Sequence, residues 1–146
     1  MTQTILVLNG PNLGRLGTRE PEVYGAETLA DIGAQLEASA PELTIDLRQT
    51  DDEAELISWI HEAVDRRLPV VLNPAAFTHY SYALRDAAAQ LKQAGVPLVE
   101  VHLSNPHTRE TFRHSSVISG VATGVIAGFG AESYRLAVDW IQRSLG

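Results

Sequence analysis

Cysteine is absent from this 146-residue chain, which removes disulfides, thiolate metal sites and a cysteine nucleophile together. The absence fits a reducing cytosol. Basic residues are outnumbered, with 11 Lys and Arg against 18 Asp and Glu, a formal net charge of −7 with His neutral. Lacking a basic run, the chain has no footprint of a phosphate-backbone binder, and no nucleic acid is expected as partner. Long apolar runs are missing too. Each is broken by Asn, Gly or Pro, so no membrane span is expected. Met1 leads straight into an apolar run without a basic start or a small-residue cleavage site, and a cytoplasmic location is the expectation. The serine elbow of hydrolases, the glycine-rich phosphate loop ending in Gly-Lys-Ser or Gly-Lys-Thr, and the paired-His zinc helix are all missing. The five His show no ligand spacing, so no metal is expected.

What is present is ordinary for a globular protein: 45% hydrophobic and 20% charged, enough for one domain over residues 1–146 with a real core. Thr4 to Leu8 is a continuous apolar run, the signature of a strand covered on both faces. Asn9 to Gly25 lacks periodicity and is rich in Gly and Pro, which predicts a long loop. Thr28 with Asp31 predicts a capped helix carrying Leu29, Ile32 and Leu36 inward. Leu43 to Leu47 reads as a second strand. Asp52 and Glu55 form a capping-box-like pair before an amphipathic helix with Leu56, Ile57, Ile60, Ala63 and Val64. Pro69 to Leu72 is a third strand, followed by a helix with Leu84, Ala87, Ala88 and Leu91 on one face, closed by Gly95. Leu98 to Leu103 is a fourth strand, and Asn105-Pro106 opens a short helix through His114. Gly124 to Ala127 is a fifth strand and Ala131 to Leu145 the final helix. Strands alternating with helices imply right-handed crossovers and a mostly parallel sheet. Five strands in this length match the flavodoxin-like doubly wound order: an α/β, three-layer domain.

Such folds bind ligands beyond the carboxyl ends of their strands, which here brings Asn12, Asn73, Glu100 and His102 towards one crevice. Glu100 and His102 are two apart on a strand and share a face. A carboxylate beside an imidazole fixes its tautomer and raises its basicity. The pair reads equally as an acid–base dyad or as an ion pair at a strand end. Arg15, Arg19 and Tyr24 lie on a glycine-punctuated segment long enough to close over a site. Tyrosine is a poor base at neutral pH, with a reference pKa near ~10, but a neighbouring guanidinium stabilises the phenolate. From Arg19 and Tyr24 alone, a solvated loop is the simpler reading. The stretch Asn73 to Asp86 adds His79, Ser81, Arg85 and Asp86 around a helix start, where capping by Thr78 or Ser81 also accounts for the pattern. Arg113 and His114 close the short helix, a favourable place for cations without any function.

Taken in order, these residues resemble the type II 3-dehydroquinate dehydratase family. The resemblance rests on Leu8-Asn9-Gly10-Pro11-Asn12-Leu13, Leu16-Gly17-Thr18-Arg19-Glu20-Pro21 and Tyr24-Gly25. It continues through Asn73-Pro74, Thr78-His79, Ala83-Leu84-Arg85-Asp86, Glu100-Val101-His102-Leu103-Ser104-Asn105-Pro106-His107 and Phe112-Arg113-His114-Ser115-Ser116. It implies dehydration of 3-dehydroquinate to 3-dehydroshikimate in the shikimate pathway, by anti elimination through an enolate, with no metal or organic cofactor. By the same resemblance, Tyr24 as tyrosinate takes the C2 proton, assisted by Arg19. His102 is the general acid and Glu100 orients it, while Asn12 helps hold a water or the enolate oxygen. Asn73, His79 and Arg113 bind substrate, and the Leu103 and Ser104 backbone N–H groups receive its carboxylate. Asp86 reaches the site of a neighbouring subunit in a homododecamer, a tetramer of trimers.

Several positions depart from that pattern. Gly14-Arg15 replaces Asn and an apolar residue, and Gln49-Thr50-Asp51-Asp52-Glu53-Ala54 replaces Gln-Ser-Asn-His-Glu-Gly. Ala75 and Ser133 stand where Gly is usual, and Tyr80 and Tyr82 replace smaller or aliphatic residues, which raises the expectation of crowding near His79. Two other readings compete. One is a lyase or isomerase acting on a related polyol acid. The other is a flavodoxin-like binding module, against which Asn9-Gly10-Pro11-Asn12 counts because it is no phosphate loop.

Overall fold

The computed structural model describes residues 2–18 and 20–145. Five strands, β1 (Gln3–Asn9), β2 (Leu43–Gln49), β3 (Val70–Asn73), β4 (Leu98–His102) and β5 (Gly124–Ala127), pair in parallel in the order β2-β1-β3-β4-β5. That is the flavodoxin-like order, with its switch point between β1 and β3. The helices are α1 (Pro21–Tyr24), α2 (Leu29–Ser39), α3 (Glu53–Arg66), α4 (Tyr82–Gln93) and α5 (Glu132–Leu145).

Alternation along the strands divides the core in two. Leu6, Leu8, Val70, Leu72 and Leu98 face α3 and α4, meeting Leu56, Ile60, Leu84 and Leu91. Ile5, Val7, Val71, Val99 and Val101 face α2 and α5, meeting Ile32, Leu36, Tyr134 and Ile141. Both faces of the inner strands are covered, which is why they read as unbroken apolar runs. The expected capping box at α2 is present, with reciprocal bonds between Thr28 and Asp31. Asp52 caps α3 through the N–H of Ala54, one residue short of Glu55.

Three expectations are corrected. The first loop contains a 3₁₀ turn at Leu13–Arg15 and the one-turn α1, with Pro21 at its first position; both are too short to show periodicity. The short helix ending at His114 is two separate 3₁₀ turns, Pro106–Thr108 and Thr111–His114, parted by extended backbone at Arg109 (φ −115°, ψ −163°). Strand β4 ends at His102 rather than Leu103.

At the outer edge, Arg48 of β2 bonds Asp46 and Glu62 of α3, each at 2.8 Å, and its guanidinium lies 5.6 Å from the Trp59 ring centre. The Arg48 hydrogen bond, against the opposing effect of burial, holds the Glu62 carboxyl down to about 2 from an ordinary 4.5. A depressed folded value means stabilisation that is present above the unfolded value and lost as pH falls through the folded one. Thermal melts of the wild type should therefore lose Tm more steeply than those of Arg48→Met between about pH 5 and pH 2. Parallel curves would show that this pair adds nothing.

Candidate active site

Two polar rows emerge where the sheet ends, one on each face. Asn9 and Asn73 are paired neighbours at the ends of β1 and β3, on the side of α5. The Tyr134 hydroxyl donates to Asn9 Oδ1 at 2.6 Å and accepts from Asn73 Nδ2 at 2.9 Å. Asn9 Nδ2 in turn donates to the Val7 and Arg48 carbonyls, and Asn73 Oδ1 accepts from the N–H of Ala75. Every donor and acceptor in this buried relay has a direction, so the Asn73 amide cannot flip without breaking two bonds. Burial pushes the Tyr134 hydroxyl well above the ordinary tyrosine range against the opposing Asn73 bond, and it keeps its proton for Asn9. Gly10 passes so close to Pro74 that a Cβ there would meet the Pro74 carbonyl oxygen at 2.6 Å. Only glycine lets these two strand ends converge.

The first loop leaves β1 through Asn12, whose φ of 71° places it in the left-handed region. Its N–H donates to Asp51 Oδ1 at 2.8 Å, and Gln49 Nε2 bonds the Gly10 carbonyl and Asp51. Gln49 also lies over Gly14, where a Cβ would meet its Oε1 at 2.9 Å. Leu13 and Leu16 are buried in the core and anchor the base of the loop. Tyr24 is half-buried at the end of α1, with the Arg109 guanidinium 5.1 Å from its ring centre, and Arg109 Nη1 donates to Ser104 Oγ at 3.3 Å. Arg19 lies outside the described residues.

On the opposite face, Glu100 is fully buried and His102 Nε2 lies 2.5 Å from its Oε2, as their shared strand face requires. Thr78 and Ser119 each donate to Glu100 at 2.7 Å, and Ser116 lies within 3.0 Å. Burial pushes the Glu100 carboxyl up. The bond and charge of His102, together with the Thr78 and Ser119 hydroxyls, outweigh it, and the net direction is down. His79 Nδ1 faces the Ser115 carbonyl at 2.9 Å. A carbonyl only accepts, so Nδ1 carries the proton and Nε2 of neutral His79 is an acceptor. Arg113 is held by Glu110 at 2.8 Å.

A cavity of about 190 Å³ gathers Asn12, Tyr24, Asn73, His79, His102, Leu103, Ser104 and Arg113, and Arg109 with them. Two predicted residues are placed elsewhere. Glu100 forms the wall behind His102 and lines an adjoining cavity instead. Asp86 stands on the outer face of α4 with its side chain 80% exposed, away from this cavity. Tyr80 and Tyr82 are 58% and 70% exposed and do not crowd the cavity. Ala75 has a φ of 52°, the left-handed conformation that explains why glycine suits this position. Sequence reasoning gave no role to Arg109, Ser116 or Ser119, and read Thr78 only as a helix cap. Arg109 follows the Glu100–His107 motif closely, whereas the hydroxyls come from scattered segments with no spacing to reveal them. Ser81, not Thr78, caps α4, accepting from the N–H of Leu84. Among the described residues, no three His, Asp or Glu side chains gather into a metal-holding set, and no helix is long and apolar enough to cross a membrane.

The cavity thus combines a phenol under the Arg109 guanidinium, a carboxylate-paired imidazole and a second arginine, Arg113. That set suits proton transfer on an anionic substrate. Residues 3–142 match the family described as dehydroquinase class II. A 3-dehydroquinate dehydratase of Kineococcus radiotolerans is 63% identical over 139 residues, covering 94% of this chain and 93% of the relative. The 3-dehydroquinate dehydratase 2 of Pseudomonas aeruginosa is 55% identical over 141 residues, covering 95% and 93%. The crystal structure of a type II dehydroquinase from Propionibacterium acnes superposes with a TM-score of 0.91 at 52% identity, covering 97% of both chains.

Replacing Tyr134 by Phe removes the proton from Asn9 and the acceptor from Asn73 inside the core. The expected cost is about 1–3 kcal/mol in urea unfolding, because both amides are left unsatisfied. A loss below about 0.5 kcal/mol would mean the relay is not fixed as described.

Proposed function

The chain belongs to the dehydroquinase class II family, and from that premise we propose that it dehydrates 3-dehydroquinate to 3-dehydroshikimate by anti elimination through an enolate. The observation that carries this reading is one cavity in which Tyr24 lies under the Arg109 guanidinium while His102 is backed by the buried Glu100. Elimination next to a carbonyl needs a base, a stabiliser for the enolate and an acid for the leaving group.

Tyr24 as phenolate takes the proton from C2, and the C–H electrons pass into the enolate of the C3 carbonyl. Arg109 supplies positive charge beside that phenolate, a task the family resemblance gives to Arg19. Asn12, whose backbone N–H donates to Asp51, holds a water or the enolate oxygen. The enolate then collapses to form the C1–C2 double bond, and the C1 hydroxyl leaves as water with a proton from His102. Asn73, His79, Arg113 and the backbone at Leu103 and Ser104 bind the hydroxyls and the carboxylate. An imine route would need a lysine amine in the cavity. The single lysine, Lys92, is exposed near the end of α4 instead. The same reading includes a homododecamer in which the exposed Asp86 completes a neighbour's site, and a cytoplasmic location.

Mixing the protein with 3-dehydroquinate should produce the ultraviolet absorbance of a conjugated enone, undiminished by chelator. Tyr24→Phe should lower kcat by about 10²–10⁴-fold with the melting temperature unchanged, since only the proton acceptor is lost. Near-wild-type turnover in that variant would remove Tyr24 as the base. Absence of product from the folded wild type would remove the reaction.

A further inference from the structure

The surroundings of Glu100 allow every hydroxyl proton to be assigned. Ser116 Oγ accepts from the N–H groups of Ile118 and Ser119, each at 3.0 Å, which occupies both of its lone pairs. Ser116 is therefore a donor only, towards Glu100 (3.2 and 3.0 Å to the two oxygens) or Thr78 Oγ1 (2.7 Å). Thr78 cannot donate to Ser116, so its single proton goes to Glu100 Oε2 at 2.7 Å. Ser119 sends its proton to Oε1 at 2.7 Å. Two segments remote in sequence, one with Thr78 and the other with Ser116 and Ser119, thus aim hydroxyl protons at one carboxylate. A proton on Glu100 Oε2 would displace the Thr78 proton from its acceptor, and Ser116 has no lone pair free to receive it, so His102 Nε2 is the acceptor left at that oxygen.

We propose that Thr78, Ser116 and Ser119 are positioning residues for the reaction: as a donor-only cage they hold Glu100 as a carboxylate, which pins a proton on Nε2 of His102 and leaves Nδ1 as the working nitrogen. The acid form of His102 is then the imidazolium with both nitrogens protonated. Its Nδ1 proton passes to the leaving hydroxyl, giving water and the neutral Nε2–H imidazole. The role in dehydration rests on the proposed function, whereas the proton assignment stands on the cage alone. The cage also sets the sign of a pH effect. Glu100 is held below the ordinary carboxylate range, so removing a donor raises it, and activity falls away at a higher pH on the acid side. The other titratable groups around the adjoining cavity, His79, His107, Arg113 and His114, are the same in every variant used.

The test is ¹⁵N NMR of the histidine rings in the whole protein, with kinetics on Ser119→Ala, Thr78→Val and Thr78→Ser. The wild type should show neutral His102 as the Nε2–H tautomer. Ser119→Ala and Thr78→Val should each move population to Nδ1–H, lower kcat about tenfold or more at constant KM, and shift the acid limb upward, as expected for a lost hydrogen bond to a charged group. Thr78→Ser, which keeps the hydroxyl, should restore all three. An unchanged tautomer and acid limb in both deletion variants would overturn the proposal, whatever happens to kcat. A tautomer response in a protein that does not turn over 3-dehydroquinate would uphold the proton assignment and remove the dehydratase reading instead.

Discussion

A buried carboxylate is the constraint on which the rest of the site depends. Placing Glu100 inside a strand covered on both faces costs several kcal/mol, unless neighbours restore the hydrogen bonds that water gave it. Here the restoration comes from His102 on its own strand and from Thr78, Ser116 and Ser119 on loops that must fold back to reach it. The route of the chain after β3 and before β5 is thereby tied to one charged group. The N–H of Val117 donates to the Thr78 carbonyl and joins those two loops directly. The imidazole held in this way is the one presented to the cavity.

On the other face the equivalent device is neutral. Asn9, Tyr134 and Asn73 link two strand ends to α5 by directed hydrogen bonds, so the cavity floor is fixed from both sides of the sheet. The first loop crosses above this floor. It is pinned at Asn12 by Asp51, buried at Leu13 and Leu16, and met at Tyr24 by Arg109. In the proposed mechanism this puts a rigid acid on the sheet and a base on the loop, a division suited to a reaction that must admit substrate and then exclude water.

Most of the fold was legible in the sequence, because inner strands covered on both faces leave unbroken apolar runs and α3 and α4 carry clear amphipathic stripes. The strand-end rule brought Asn12, Asn73 and His102 to one cavity, and the two-residue spacing put Glu100 beside His102, in the wall behind it. Features set by tertiary contact were not legible. The backbone is extended at Arg109, between the turns after β4, and its guanidinium reaches Ser104 and the Tyr24 ring; no local pattern announces those contacts. The hydroxyls around Glu100 converge from residues 78, 116 and 119; Thr78 read as an ordinary cap, and no spacing singled out Ser116 or Ser119. The strain at Ala75 is likewise a property of backbone direction and not of composition.

The proposed chemistry separates base from acid, with Tyr24 on the loop and His102 on the sheet, and it uses no lysine. Substrate carrying deuterium stereospecifically at C2 tests that arrangement most directly, with NMR of the product showing which label is lost. The account predicts loss only of the deuterium anti to the departing C1 hydroxyl. Loss of the syn deuterium, or of both without preference, would contradict it.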